Sequence, residues 1–382
     1  VLVFTRRILF CIAPVLILSS CAPERSEKEF LPYVIQNEDG VKAISAEEAK
    51  TLCAGAYCEK NQIYTSQFGR KRHQQPVPPP MPIQEPPFAQ DPFPQNPVQP
   101  PEVLDYSRAV LNMDEAWNYT EGSREVLVAV IDSGVQQDHP DLKVNLDEIN
   151  GYDFYHDRPG AEDENGHGTH VSGIIAAAKD TIGTRGVAPQ VRILPLKFLG
   201  PSGSGDTADA VRAVDYAILK GAKVISNSWG GAGYSELLNQ AVQRAVSAGI
   251  YFVAAAGNEK RNNDEINTYP ANYPNVISVG SSGSWDNKSS FSNYGSSSVM
   301  IFAPGSNIYS SYPGDSYRLM SGTSMAAPQV SGAIALALSL KPNIERSAVR
   351  NDLCGSSVTQ LREYSVCGRM DVGHFIRKIS TR

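Results

Sequence analysis

The 382-residue chain lacks an excess of positive charge: 34 Lys and Arg stand against 40 Asp and Glu, for a formal net charge of −6. That balance excludes a surface built to neutralise nucleic-acid phosphates. Residues 1–101 hold ten basic and ten acidic side chains, so the whole −6 belongs to residues 102–382. The apolar run near the N-terminus, residues 8–18, covers eleven positions and contains Pro14. A helix that spans a bilayer needs about 20 apolar residues, so this run is too short for a permanent span. Cysteines are few, six in all, and no cluster of Cys and His at zinc-site spacing accompanies them. What the chain does have is 41% hydrophobic residues, which excludes global disorder, and a length that allows two or three domains.

The first third reads as an export and spacing device. Arg6 and Arg7, the apolar run and the small residues before Cys21 form a secretory signal peptide over residues 1–20. Leu18-Ser19-Ser20-Cys21 resembles the lipobox of bacterial lipoproteins, which implies that Cys21 carries lipid and becomes the new N-terminus. Ala22 stands where an Asp would favour inner-membrane retention, so the resemblance implies a lipid-anchored protein of the bacterial cell envelope, at the outer membrane or cell surface. An ordinary signal peptide with a chance cysteine is the competing reading. Residues 21–75 form an anchored arm or small module, with one short helix over 45–52 that opens on the capping-box pattern Ser45-Ala-Glu-Glu48. Twelve of the 26 prolines fall in residues 76–101, a linker that lacks too many amide donors for helix or sheet. In an oxidising compartment the four remaining cysteines, in two local pairs, favour the disulfides Cys53–Cys58 and Cys354–Cys367.

Residues 102–382 alternate strand and helix. Residues 126–131 are a continuous apolar, β-branched run, the pattern of a strand buried on both faces. Further strands are expected over 191–198, 223–226, 251–255, 276–280 and 299–303. Helices are expected over 206–220, with an Asp cap, and over 235–248, with a Ser cap and a stop at Gly249. An apolar helix is expected over 171–178. This alternation implies an α/β fold with a mostly parallel sheet and helices on both faces, whose ligand site lies beyond the carboxyl ends of the strands.

Three polar residues stand at such ends. Asp132 follows the first buried strand, His167 opens the apolar helix after it, and Ser324 precedes a second apolar helix that runs to about residue 340. Pro328 is compatible with the start of that helix, where amides lack intrahelical partners. Alone, the Asp is a turn former and the Ser a cap; together with His167 they supply an orienting carboxylate, a base and a nucleophile. His139 and His170 are read as structural.

Over residues 105–350 the sequence resembles the subtilisin-like serine proteases, the subtilases. The resemblance is carried by Val128-Ala-Val-Ile-Asp132-Ser-Gly, His167-Gly-Thr-His-Val-Ser-Gly, Gly322-Thr-Ser324-Met-Ala-Ala-Pro and the segment ending in Asn258. It implies a three-layer subtilisin-like fold and a serine endopeptidase that needs no cofactor for its chemistry. Ser324 is then the nucleophile, His167 the base and Asp132 its orienting partner, with Asn258 and the Ser324 N–H as oxyanion donors. Gly203, Ser204 and Gly205, with Ser228, Trp229 and Gly230, match the walls of the substrate cleft, and Thr268 matches a position near the base of the pocket for the residue before the cut bond. Asp141, Asp180 and the carbonyls of Ala178, Ile182 and Thr184 match a structural calcium site. The implied partners are polypeptide substrates and, through Cys21, a membrane, for a monomer without nucleic acid. The competing function is a catalytically silent surface binding protein on the same scaffold. The family commonly carries an inhibitory prodomain; residues 22–75 show no pattern matching one, and the arm stays open between a divergent prodomain, a partner-binding segment and neither.

Overall fold

The computed structural model describes residues 28, 30–37, 40–53, 57–67 and 106–382. The expected signal peptide over 1–20, Cys21 and the expected proline-rich linker over 76–101 lie outside the described residues. In chain order the arm contains β1 (Tyr33–Asn37), β2 (Gly40–Ile44), α1 (Ala46–Leu52), β3 (Tyr57–Lys60) and β4 (Ile63–Ser66). The remainder begins with α2 (Tyr106–Val110), α3 (Met113–Trp117), β5 (Leu127–Asp132), β6 (Tyr152–Asp153), β7 (Arg158–Pro159) and α4 (His167–Ala176). It continues through β8 (Arg192–Lys197), β9 (Ser204–Asp206), α5 (Thr207–Leu219), β10 (Val224–Asn227), β11 (Trp229–Gly230) and α6 (Glu236–Ser247). The last third holds β12 (Tyr251–Ala255), β13 (Ile277–Ser282), β14 (Ile301–Pro304), β15 (Ile308–Tyr312), β16 (Ser316–Met320), α7 (Thr323–Leu340), α8 (Arg346–Ser356) and α9 (Val372–Ser380).

The main sheet has the order β14-β13-β12-β10-β5-β8-β6-β7, parallel except where β7 pairs with β6. Its side chains divide by the two-residue period of a strand. Val128 and Val130 face a core shared with α4 and α7, whereas Leu127, Ala129 and Ile131 face one shared with α5 and α6. This is the expected three-layer α/β fold. Strand β8 joins one side of β5, and the chain then crosses by α5 to β10 on the other, so the strand order reverses at β5. Crevices form at such a reversal, and Asp132 occupies its carboxyl end.

Helix α7 is long and apolar enough to cross a membrane, yet nearly all of it is buried in the protein core. Its start corrects two expectations. Ser324 is the second residue of the helix, not a residue before it. Pro328 is therefore beyond the first turn, and its missing N–H leaves the Ser324 carbonyl without a helical donor. The Ser228 hydroxyl fills that place, donating to the Ser324 carbonyl at 2.9 Å.

The arm is a small module of its own. Strands β2, β1 and β3 pair antiparallel, and α1 has the predicted capping box, with the Glu48 N–H donating to Ser45 Oγ at 3.2 Å and the Ser45 N–H to Glu48 Oε2 at 2.8 Å. Both expected disulfides are present; Cys53–Cys58 ties the end of α1 to β3, and Cys354–Cys367 ties α8 to the segment before α9. The module is seated on α5 and α6. Glu59 accepts from the Ser235 hydroxyl and from the Glu236 N–H at 2.9 Å, so a carboxylate occupies the positive end of α6. Lys28 pairs with Asp209 of α5.

Candidate active site

Asp132 ends β5 fully buried, and its Oδ1 lies 2.7 Å from His167 Nδ1. The same oxygen accepts the Ser133 N–H at 2.7 Å. His167 is the first residue of α4. The turn into that helix needs glycine twice: Gly166 has φ +98°, and a Cβ on Gly168 would fall 2.1 Å from the Gly134 carbonyl oxygen. Asp163 locks the turn, accepting from the Ser133 hydroxyl, the Gly166 N–H and the Thr169 N–H at 2.8–2.9 Å. The imidazole is thus fixed by its carboxylate partner on one side and by its own helix on the other.

Asn258 follows β12 through Gly257, whose φ of +111° permits the turn. Its Oδ1 accepts from the Thr323 N–H at 2.9 Å and from the Thr323 hydroxyl at 3.1 Å. Its Nδ2 is buried and makes no hydrogen bond among the described residues. Thr323 therefore sets the orientation of the Asn258 amide and leaves its donor end unspent.

The arm reaches this site. Strand β4 lies antiparallel between β9 and β11: Tyr64 pairs with Gly205, Thr65 with Ser204 and Gly230, and Ser66 with Trp229. The Ser66 N–H donates to the Gly203 carbonyl at 3.0 Å and the Gln67 N–H to the Ser228 carbonyl at 2.9 Å. The strand ends with the Gln67 carbonyl oxygen accepting the Ser324 N–H at 3.1 Å, while the Ser324 hydroxyl contacts the same oxygen and lies 2.9 Å from the Ser228 carbonyl. The predicted cleft walls Gly203, Ser204, Gly205, Ser228, Trp229 and Gly230 all flank one extended segment of the chain. This is strand addition, in which backbone bonds hold the peptide and side-chain pockets discriminate. Sequence reasoning missed β4 and Gln67. Their only local signal is the short β-branched and aromatic run Ile63-Tyr64-Thr65.

Tyr64 is fully buried, its ring 5.2 Å from that of Trp229, which in turn lies 4.7 Å from Phe198. It is the largest fully buried side chain of the arm's described residues and its ring anchors the arm in the cleft. Trp229 is itself fixed, donating from Nε1 to the Ile131 carbonyl at 2.8 Å. Thr268 is buried beside Gly230, where a Cβ would lie 3.3 Å from Thr268 Cγ2.

The two other conspicuous histidines are structural. His170 is buried in α4 with Nε2 3.1 Å from the Ile308 carbonyl and 2.9 Å from that of Arg318; burial pushes it down to about 3, so the ring is neutral and donates. His139 lies 3.2 Å from the Ser316 carbonyl, and burial lowers it as well.

Asp141 and Asp180 flank one loop. Asp141 is buried; its Oδ2 accepts the Thr184 N–H at 2.9 Å and its Oδ1 has no hydrogen-bond partner among the described residues. Desolvation, with a smaller contribution from Asp180, pushes the Asp141 carboxyl up to about 7. Asp180 is exposed and accepts the Ile182 N–H at 2.9 Å. Among the described residues no group of three or more His, Cys, Asp or Glu converges on one point. A cation here would rest on two carboxylates and backbone carbonyls, a donor set that suits calcium.

The sequence profile of the Subtilase family matches residues 123–366. The chain is 40% identical to subtilisin DY of Bacillus licheniformis over 270 residues, which cover 70% of this chain and 96% of that protein. It is 44% identical to thermitase of Thermoactinomyces vulgaris over 232 residues, 60% of this chain and 81% of thermitase. Identity to subtilisin Savinase of Lederbergia lenta is 41% over 228 residues, with the same two coverages of 60% and 81%. The described part of the arm, residues 28–67, precedes the profile match.

Proposed function

The chain belongs to the subtilase family of serine endopeptidases, and from that premise we propose that it is an endopeptidase kept latent by its own arm, which it cuts between Gln67 and Phe68. The observation that carries this reading is the Gln67 carbonyl, placed against both the hydroxyl and the N–H of Ser324. Ser324 Oγ attacks the Gln67 carbonyl carbon while His167 Nε2 takes the hydroxyl proton. Asp132, 2.7 Å from Nδ1, holds the tautomer that carries its proton on Nδ1, so that Nε2 is the accepting nitrogen, and stabilises the imidazolium. Negative charge develops on the Gln67 oxygen, where the Ser324 N–H already donates and Asn258 Nδ2 supplies the second hydrogen bond. His167 returns the proton to the Phe68 nitrogen as the C–N bond breaks. Water then hydrolyses the acyl-Ser324 ester by the same proton path, and the arm leaves with a carboxylate at Gln67.

A fluorophosphonate probe tests the nucleophile. The processed chain is expected to label covalently and Ser324→Ala not at all; equal labelling of the two would remove Ser324 from this role.

The position of the cut changes what the lipid would anchor. With Cys21 lipidated, residues 21–67 keep the lipid, whereas the proline-rich segment leaves as the N-terminal tail of the catalytic domain. Before the cut the zymogen is held at the cell envelope; afterwards only the arm's non-covalent contacts hold the enzyme there. Mass spectrometry of membrane fractions should find lipid on the arm fragment, and on the whole chain in Ser324→Ala. Lipid-free Cys21 in both would end the anchor reading.

Structural calcium at Asp141, Asp180 and the carbonyls of Ala178, Ile182 and Thr184 is supported by the unpartnered, desolvated Asp141 oxygen. A carboxylate there needs either a proton or a cation, and calcium supplies the latter. A site filled at 100 times its Kd stabilises by about 2.7 kcal/mol. Chelation by EGTA should lower the unfolding temperature by roughly 5 °C for a domain of this size, and Asp141→Asn should make the protein indifferent to EGTA. Wild-type stability that ignores EGTA would contradict the site.

A further inference from the structure

The arm also carries information about which bonds the enzyme prefers. Gln67 is only 5% exposed, and its side-chain Nε2 donates to the Gly230 carbonyl at 3.1 Å and lies 3.4 Å from that of Thr65. The ideal Cβ position on Gly230 is 3.5 Å from Gln67 Nε2 and 3.3 Å from Thr268 Cγ2, so the amide and the Thr268 methyl converge on one point. Thr268 cannot easily withdraw. Its N–H donates to Asn272 Oδ1 at 3.0 Å, and its hydroxyl lies within 3.3–3.4 Å of Asn293 Nδ2 and Asn263 Oδ1. The wall behind Gly230 is rigid too, because Gly231 and Tyr269 exchange backbone bonds of 2.8 and 2.9 Å.

We infer that this pocket makes the enzyme selective for glutamine on the acyl side of the bond it cuts, with Thr268 the residue that closes it to larger side chains. The inference rests on the peptidase reading above. A neutral amide satisfies the Gly230 carbonyl. A glutamate of the same shape turns carboxylate lone pairs toward the Gly230 and Thr65 carbonyls in a buried place, which loses the hydrogen bond and adds repulsion. Sites built around such a bond reject the isostere that lacks the donor far more strongly than apolar pockets reject a methylene. A leucine leaves the Gly230 carbonyl unpaired, a smaller penalty. A phenylalanine extends toward the point that Thr268 occupies.

The test is the self-cleavage of the full chain, followed by mass for the fragment ending at residue 67. Gln67→Glu is expected to slow the cut about 100-fold and Gln67→Leu about 10-fold. Adding Thr268→Gly to Gln67→Phe should restore at least about 10-fold of the rate that Gln67→Phe loses. Unchanged thermal stability of Gln67→Glu separates a cleavage defect from a folding one. Cleavage of Gln67→Glu within about 3-fold of wild type overturns the glutamine inference and leaves the peptidase reading standing. If the wild-type chain is not cut and behaves as Ser324→Ala does, both fall together.

Discussion

Ser324→Ala is expected to lower kcat on a polypeptide substrate by about 10⁶-fold, the scale on which loss of the nucleophile removes the covalent route. A change this large follows from the arrangement of α7. The helix presents the Ser324 hydroxyl and its N–H to one carbonyl oxygen, and the residue's own carbonyl is held by Ser228 because Pro328 has no N–H to offer. Alanine keeps the backbone donor and the helix, so the variant should fold and retain the uncut arm in the cleft. The check is kcat by active-site-independent protein concentration, with the unfolding temperature measured in parallel. Activity within tenfold of wild type would mean that another group performs the attack.

Asn258→Ala should lower kcat by about 10²–10³-fold, or about 2.7–4 kcal/mol, while KM changes by less than about threefold. The amide's Oδ1 is committed to two bonds from Thr323, and its Nδ2 is buried without a partner among the described residues. An unpaired buried donor costs about 1–3 kcal/mol, and that cost is relieved when negative charge develops on the substrate oxygen. An interaction strengthened only in the transition state raises kcat and leaves KM almost alone. Steady-state kinetics on one peptide substrate separates the two parameters. A loss confined to KM would make Asn258 a binding residue only.

Much of the catalytic domain was legible because its signals are local. The strand observed over 127–132 reads from the unbroken apolar run at 126–131, and α5 and α6 read from Asp206 and Ser235 at their caps and from Gly249 at a stop. Asp132, His167 and Ser324 stand out because each lies at or beside one end of an apolar element, and Asn258 because the segment that it closes resembles the subtilases. The arm was not, for a physical reason. Its strands have four or five residues, much of their surface is half exposed, and β4 gains its partners from β9 and β11, about 140 residues or more away in sequence. The short run Ile63-Tyr64-Thr65 is too weak a local signal to set β4 apart from a loop; pairing with β9 and β11 makes it a strand. The same holds for Pro328. Its place in the helix is tolerated through Ser228, a contact between residues 96 apart in sequence.

The proposed role of the arm also changes the meaning of the proline-rich segment. Read from sequence, residues 76–101 space an enzyme away from its lipid. On the proposed cut at Gln67–Phe68 they would space the zymogen only, and the −6 charge carried by residues 102–382 would leave with the released enzyme. The buried Tyr64, the Glu59 cap on α6 and the Lys28–Asp209 pair are the contacts that would hold the arm after such a cut.

The most direct measurement is the N-terminal sequence of the catalytic domain, isolated after incubation of the full chain beside its Ser324→Ala variant. The account predicts a new N-terminus at Phe68 in the wild type and an uncut junction in Ser324→Ala. An intact Gln67–Phe68 bond in both proteins, or the same cut in both, would contradict it.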